Sequence, residues 1–435
     1  MNTQPVESCH SQTSESIKPH CKEIWFLTSE LESERASSFR QERWCRIFLE
    51  AGAILRIFNL RGVFNHSDAV CADANALTEF RRTGMAQYRG PKPSVREGMS
   101  VRALRWLKHI LLADLYLPNV IKLYRSLNTL LNGRTDPVVI MASSPPFSVT
   151  LVGALIKQRY PDKVVFVIDM RDAWALHTAL GGIKPLKRFI EGWVLRRADR
   201  VTTVSQGLAE EFKERYRIHV GVMYNVATHY LDAPPAERID MREVNPDIDP
   251  TRHTLLYTGS TPVNFYDVAS IIAAMAYLRR ERPNVAQRLQ LVFIGACDEV
   301  RREANAQGVK APDIVFVPHL PHAKARAMQA SATALIFLAY HGPKNMGVVS
   351  TKLFEYLCLG QPVVPFDLCE GSDVDLLLRR YCGTSINAHG KEAITALLTC
   401  IAEQGTAMLP KLIDVHRVRE LIDDYYCYAK ELLAD

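Results

Sequence analysis

Short apolar runs alternate with longer stretches of helical spacing along most of this chain. Ile24-Trp25-Phe26-Leu27 stops at Thr28-Ser29 and predicts a buried first strand. A helical stretch over 37–49 and a second strand over 54–58 follow it. Strand, helix, strand in that order opens a parallel sheet. The segment 65–98 is mostly polar and turns basic, with a break at Gly90-Pro91-Lys92-Pro93. Helical periodicity then runs over 101–131, and Val138-Val139-Ile140-Met141 is a buried strand stopped by Ser143-Ser144-Pro145-Pro146. A helix over 148–158 and strands over 164–168, 201–204 and 220–224 continue the series. Ser205 is placed to cap a helix over 208–215.

Between 227 and 253 the pattern lapses into prolines (Pro234, Pro235, Pro246, Pro250) and charges, the composition of an interdomain linker. Beyond it the alternation restarts, with strands over 255–258, 289–294, 314–317, 334–338 and 362–365. Helices over 268–280, 323–331 and 350–359 lie among them, the last closed by Gly360. From Val415 onward the chain reads as one helix. The expected organisation is a disordered tail (1–21), an N-terminal domain (22–226), the linker (227–253), a C-terminal domain (254–412) and a closing helix (413–435). The fold class is α/β, two Rossmann-like doubly wound domains, with ligand in the cleft at the strands' carboxyl ends.

Composition bounds the class without naming it. With 48% hydrophobic and 23% charged residues the 435-residue chain is neither disordered nor fibrous. The ten cysteines show no CxxC or zinc-ligand spacing and read as reduced thiols filling cores. Met1–Lys22 has no apolar core of a signal peptide, and no run approaches the ~18 residues of a spanning helix. The expected location is cytoplasmic, at most peripheral on the inner face of a membrane. Net charge is only +6, yet eleven Lys/Arg against Glu97 and Asp114 leave residues 81–135 at +9. That block is interleaved with Leu104, Trp106, Leu107 and Ile110. It suits an anionic membrane surface, or the solvated back of a core-facing helix. No nucleic-acid-binding module accompanies it.

The chemistry concentrates in Gly347–Val364. A loop ends and a helix begins at Ser350 and Thr351, so its free N–H groups and positive dipole end form an anion site to which Lys352 adds a point charge. Glu355, one turn in, is unsuited to phosphate but can accept two ribose hydroxyls. Together they describe a site for a nucleoside diphosphate. Arg171 and Asp172 stand at a strand's carboxyl end, either as ligands or as a structural ion pair. Asp373-Val374-Asp375 has the spacing of a metal-binding pair, but its position after Gly371-Ser372 predicts a helix start; no metal site is expected.

The segment STKLFEYLCLGQPVV resembles the donor-nucleotide motif of retaining glycosyltransferases with the GT-B fold, particularly glycosyltransferase family 4. RADRVTTVSQGLAEEF followed by VMYN resembles the end of that family's N-terminal domain, and LLYTGS the opening strand of its C-terminal domain. MASSPPFS and VIDMRDAW resemble a branch that builds bacterial surface polysaccharides. The resemblance implies that Glu355 holds the donor ribose and that the backbone at Ser350 and Thr351 holds the diphosphate, with Lys352 assisting. Gly259 and Ser260 would line the donor pocket. Arg171 and Asp172 match a His-Asp pair near the transferred sugar, Asn225 matches an Asn closing the N-terminal domain, and the last helix would cross back onto that domain.

Three positions depart from the family pattern. Gly347 stands where a second Glu contacts the sugar. No Arg/Lys pair follows Gly259, where Ser260, Thr261, Phe265 and Tyr266 occur instead, leaving Lys352 and Lys344 as substitutes. The loop 28–35 lacks the usual glycines. The expected function is retaining transfer from a UDP- or GDP-sugar to a lipid-linked saccharide. A nucleotide-sugar-binding partner without catalysis and a nucleotide-sugar epimerase are the alternatives.

Overall fold

The computed structural model describes residues 23–29, 31, 36–60, 68–87, 117–175, 183–226, 236–263, 265–340 and 347–434. Two parallel sheets organise the chain. The first has strands β1 (Glu23–Thr28), β2 (Ile54–Asn59), β3 (Asp68–Cys71), β4 (Val138–Ser144), β5 (Val164–Met170), β6 (Arg200–Thr203) and β7 (Gly221–Val222). Their order is β3-β2-β1-β4-β5-β6-β7, parallel except for the β2–β3 pair. The second has β8 (His253–Thr258), β9 (Leu289–Ile294), β10 (Ile314–Val317), β11 (Ala334–Leu338) and β12 (Val363–Phe366), in the order β10-β9-β8-β11-β12. Central strands such as β4 and β9 are buried along their whole length because helices cover both faces, and they therefore read as unbroken apolar runs. The strand order reverses beside β1 and β8, which opens the ligand crevice at their carboxyl ends.

The last helix, Val415–Ala434, serves both domains. Val418 and Leu421 pack in the core of the second sheet, while Tyr425, Ala429 and Leu432 pack with Ile24, Trp44 and Phe48 of the first. The crossover helix is anchored by polar contacts as well. Tyr425 donates to the Tyr224 carbonyl at 2.8 Å and accepts from the Arg40 guanidinium.

Several elements differ from the sequence pattern. The stretch read only as polar contains the antiparallel strand β3 and helix Ala74–Gln87. Of the long periodic segment, helix Leu117–Asn132 is described, and 101–116 lies outside the described residues, as do the tail 1–21 and most of the basic block. The second half of the proline-rich stretch does not hang free. Ile248 is buried in the second core, Ile239 donates its N–H to Ser331 Oγ at 2.8 Å, and Asp249 N–H donates to Gln290 Oε1 at 3.0 Å. Prolines there interrupt regular hydrogen bonding without detaching the chain. Helices Lys184–Leu195, Asp298–Ala306 and Gly390–Gln404 were also not evident in the pattern. Asp298–Ala306 buries only Val300 and Ala304, too sparse an apolar stripe to declare itself.

Candidate active site

The helix Thr351–Leu359 begins at the carboxyl side of the second sheet. Ser350 is its N-cap, the side-chain oxygen accepting from Lys352 N–H, and Gly360 ends it in the left-handed conformation. The Lys352 side chain runs under the end of β8, where its ammonium donates to the Tyr257 hydroxyl at 2.7 Å and lies 4.4 Å from that ring's centre. Tyr257 in turn donates to the Ser260 carbonyl at 2.8 Å. Gly259 makes this approach possible. Its φ is +133°, and a Cβ there would sit 2.4 Å from Lys352 Nζ. Gly259, Ser260, Ser350, Thr351, Lys352 and Glu355 thus converge on one end of the sheet.

Electrostatically the group is under tension. Burial lowers the Lys352 pKa to about 8, against a partial restoring pull from Glu355. Burial likewise raises Glu355, and Lys352 offsets only part of the rise. The Glu355 carboxylate makes no hydrogen bond among the described residues. A half-buried cation and anion, with few hydrogen-bond partners among the described residues, retain the capacity to bind a ligand that completes them.

Across the cleft, Arg171 and Asp172 follow β5. The Arg171 guanidinium donates to the carbonyl oxygens of Ser144 and Pro145, fixing the end of β5 to the end of β4. Asp172 is exposed and near Tyr340 of the other domain; after burial, its charge contributes to raising that phenol's pKa. Tyr340 packs on Phe265 and Tyr266 at ring-centre distances of 5.9 and 5.4 Å, an aromatic wall on the side of the second sheet. Asn225 follows β7, next to Tyr224, whose ring lies 6.1 Å from Phe354. Lys344 lies outside the described residues.

Gly347 is not beside Lys352 but in the contact between domains. A Cβ at 347 would lie 2.8 Å from Leu208 N and 2.9 Å from the Gly207 carbonyl carbon, so a glutamate does not fit this arrangement. The same contact uses Asp373. Its carboxylate accepts from the N–H groups of Gln206 at 2.9 Å and Gly207 at 2.8 Å. Those are the free donors at the start of helix Gln206–Tyr216, so Asp373 caps a helix of the opposite domain. Asp375 accepts from Gly371 N–H and pairs with Arg379. Both aspartates therefore belong to the start of helix Asp373–Cys382, as their position after Ser372 predicted.

Sequence reasoning missed Tyr257, Tyr340 and the Asp373 clasp. Tyr257 and Lys352 are 95 residues apart, and only the sheet order brings them together.

A family model described as a glycosyl transferase 4-like domain matches residues 57–224. Among solved structures, an α,α-trehalose-phosphate synthase (UDP-forming) from Burkholderia xenovorans, in complex with glucose-6-phosphate, superposes with a TM-score of 0.58 and 9% identity, over 95% of this chain and 100% of that one. An apo structure of OtsA gives 0.53 and 8%, over 94% and 97%. S. aureus TarM gives only 0.43 and 9%; this chain spans 55% of its length, and 72% of this chain is covered. No curated protein matches the sequence. At such identities the superpositions establish the two-domain architecture, and the matched domain ties its N-terminal half to sugar transfer. The chain has the two-domain GT-B architecture of these structures, and its residues 57–224 match a glycosyl transferase 4-like domain.

Proposed function

We propose that the protein is a retaining transferase that moves a sugar from a UDP- or GDP-sugar to a lipid-linked saccharide in bacterial surface polysaccharide synthesis. The observation that carries the donor half is the Lys352–Glu355 pair, half-buried and poorly partnered in the first two turns of a helix whose N-terminus faces the cleft. A nucleoside diphosphate sugar supplies what both lack. Its diphosphate meets the N–H groups at Thr351 and the Lys352 ammonium, and its ribose hydroxyls donate to Glu355. In transfer the bond from the sugar's anomeric carbon to the diphosphate breaks and a bond to an acceptor oxygen forms on the same face. The acceptor proton passes to the leaving phosphate, whose charge Lys352 and the helix end stabilise. Asp172 and Arg171 border the sugar from the acceptor side. No metal enters this scheme.

The acceptor half rests on the basic stretch 81–135 in the N-terminal domain and on the polysaccharide-branch motifs. No helix among the described residues is long and apolar enough to cross a membrane. Melting in the presence of UDP or GDP tests the donor reading: one of them raises the melting temperature of the wild type, and Glu355→Ala abolishes the rise. Absence of any rise with either nucleotide overturns it. Gly347 favours a second reading, a binding partner without catalysis. It is distinguished by nucleotide binding with no donor hydrolysis or transfer across a panel of nucleotide sugars.

A further inference from the structure

Helices Leu117–Asn132, Phe147–Arg159 and Lys184–Leu195 lie side by side on one face of the first sheet. They bury Leu123, Val152 and Val194 in the same apolar cluster. Their sequences hold Lys122, Arg125, Lys157, Arg159, Lys184, Lys187 and Arg188 against a single acid, Glu191. That acid is fully buried, accepting from the Tyr216 hydroxyl and from Ala175 N–H. The outer surface of this three-helix layer therefore carries exposed Lys122, Arg125, Arg159, Lys184 and Arg188 and no exposed carboxylate. Among the cations stand exposed aliphatic and aromatic side chains, Ile121, Leu130, Ile183 and Phe189, the last 70% exposed. The next helix, Gln206–Tyr216, bears Glu210, Glu211 and Glu214 and bounds the face.

We infer that this face docks on an anionic lipid bilayer. Phosphodiester polymers would satisfy the cations but give Ile121, Leu130 and Ile183 nothing apolar to bury against. A bilayer offers both, headgroup phosphates for the ammonium and guanidinium groups and an acyl boundary for the apolar side chains. The layer also has a direction. Phe147–Arg159 starts just after the carboxyl end of β4, and Leu117–Asn132 and Lys184–Leu195 end shortly before β4 and β6 begin, so in a parallel sheet all three helices start at the carboxyl edge. Ile121, Lys122, Ile183 and Lys184 thus mark the cleft end of the face, so the docked membrane meets the mouth of the cleft. The six Lys/Arg of 88–116 lead in sequence directly into the first of these helices. The inference deepens the proposed membrane-borne acceptor, but vesicle binding needs neither donor nor transfer and stands or falls separately from the nucleotide site.

Cosedimentation of the full chain with vesicles tests it. The wild type is expected to pellet with phosphatidylcholine vesicles containing phosphatidylglycerol, to be released by salt, and to stay in solution with phosphatidylcholine alone. Lys122→Glu, Lys184→Glu and Arg188→Glu combined should lower the bound fraction at least about tenfold. Phe189→Ser, at an exposed position whose change leaves the melting temperature in place, should lower it by about threefold and serves where the triple variant does not fold. Equal binding to neutral vesicles, undiminished binding by both variants, or binding of RNA or duplex DNA without vesicle binding would each overturn the assignment.

Discussion

Two charged clusters sit at the carboxyl ends of central strands, one in each domain, and they are finished to different degrees. In the N-terminal domain Arg40 is fully buried and donates to Asp169 at 2.6 Å, to the Met223 carbonyl at 2.6 Å and to the Tyr425 hydroxyl. Asp169 also accepts from Ser143 at 3.0 Å and Thr202 at 3.1 Å. Burial alone would raise the Asp169 pKa, yet Arg40 overrides it and holds the carboxyl below its usual value. In the C-terminal domain the Lys352 ammonium has one hydrogen bond among the described residues, to Tyr257, and burial is the largest influence on the pKa of both Lys352 and Glu355. The first cluster is fully withdrawn from water and internally complete, whereas Lys352 and Glu355 are half-buried and are not. A completed network holds a fold together; an incomplete one keeps its interaction capacity for a ligand, at some cost to the unliganded protein.

The contrast breaks most sharply if Arg40 is removed. Arg40→Ala leaves Asp169 charged and unpaired in the core and is expected to destabilise by ~3–5 kcal/mol, read from denaturant unfolding. Glu355→Ala should do the reverse: nucleotide affinity falls at least about tenfold by calorimetry, while stability without ligand stays level or rises. Equal destabilisation by both substitutions would erase the distinction drawn here.

The pH dependence sharpens it further. Between the folded Lys352 pKa of about 8 and its ordinary 10.5, the unfolded chain binds more protons, so this lysine makes stability rise with pH across that window. Nucleotide binding slopes the opposite way, because a diphosphate needs the ammonium form, and affinity is expected to decline above about pH 8. Lys352→Met should flatten both slopes in melts and titrations over that range. The smallest effect belongs to the clasp: Asp373→Ala should cost ~1 kcal/mol, the scale of a lost helix cap, with Asp373→Asn restoring part of it.

What the sequence made legible was what neighbours along the chain decide. Ser205, Ser350 and Ser372 sit before the helices they cap, and each side chain accepts the expected backbone N–H. Apolar runs such as Leu289–Ile294 and Ala334–Leu338 coincide with their strands because burial on both faces leaves no other reading. The clustering of Ser350, Thr351, Lys352 and Glu355 follows from a single helix turn. Contacts between distant segments were not legible. Nothing near Asp373 announces that it caps a helix 167 residues earlier, and nothing near Gly347 announces the backbone of Gly207. Arg171, read as a ligand or half of an ion pair, turned out to be held by two carbonyl groups whose direction only the β4–β5 pairing sets.

Tyr425 lies 385 residues beyond Arg40, yet its hydroxyl is built into the Arg40–Asp169 cluster, and its ring lies tilted against that of Trp44, 4.6 Å between centres. On the ribosome, then, the domain made first is the one that must wait: its sheet can pair early, but its core is closed by a helix that follows the whole second sheet in sequence. A chain released before Val415 would present Ile24, Trp44 and Phe48 uncovered. Synthesis of the helix Val415–Ala434 is thereby made a condition for a finished N-terminal domain, and a product terminated before it exposes apolar surface that the quality-control machinery recognises.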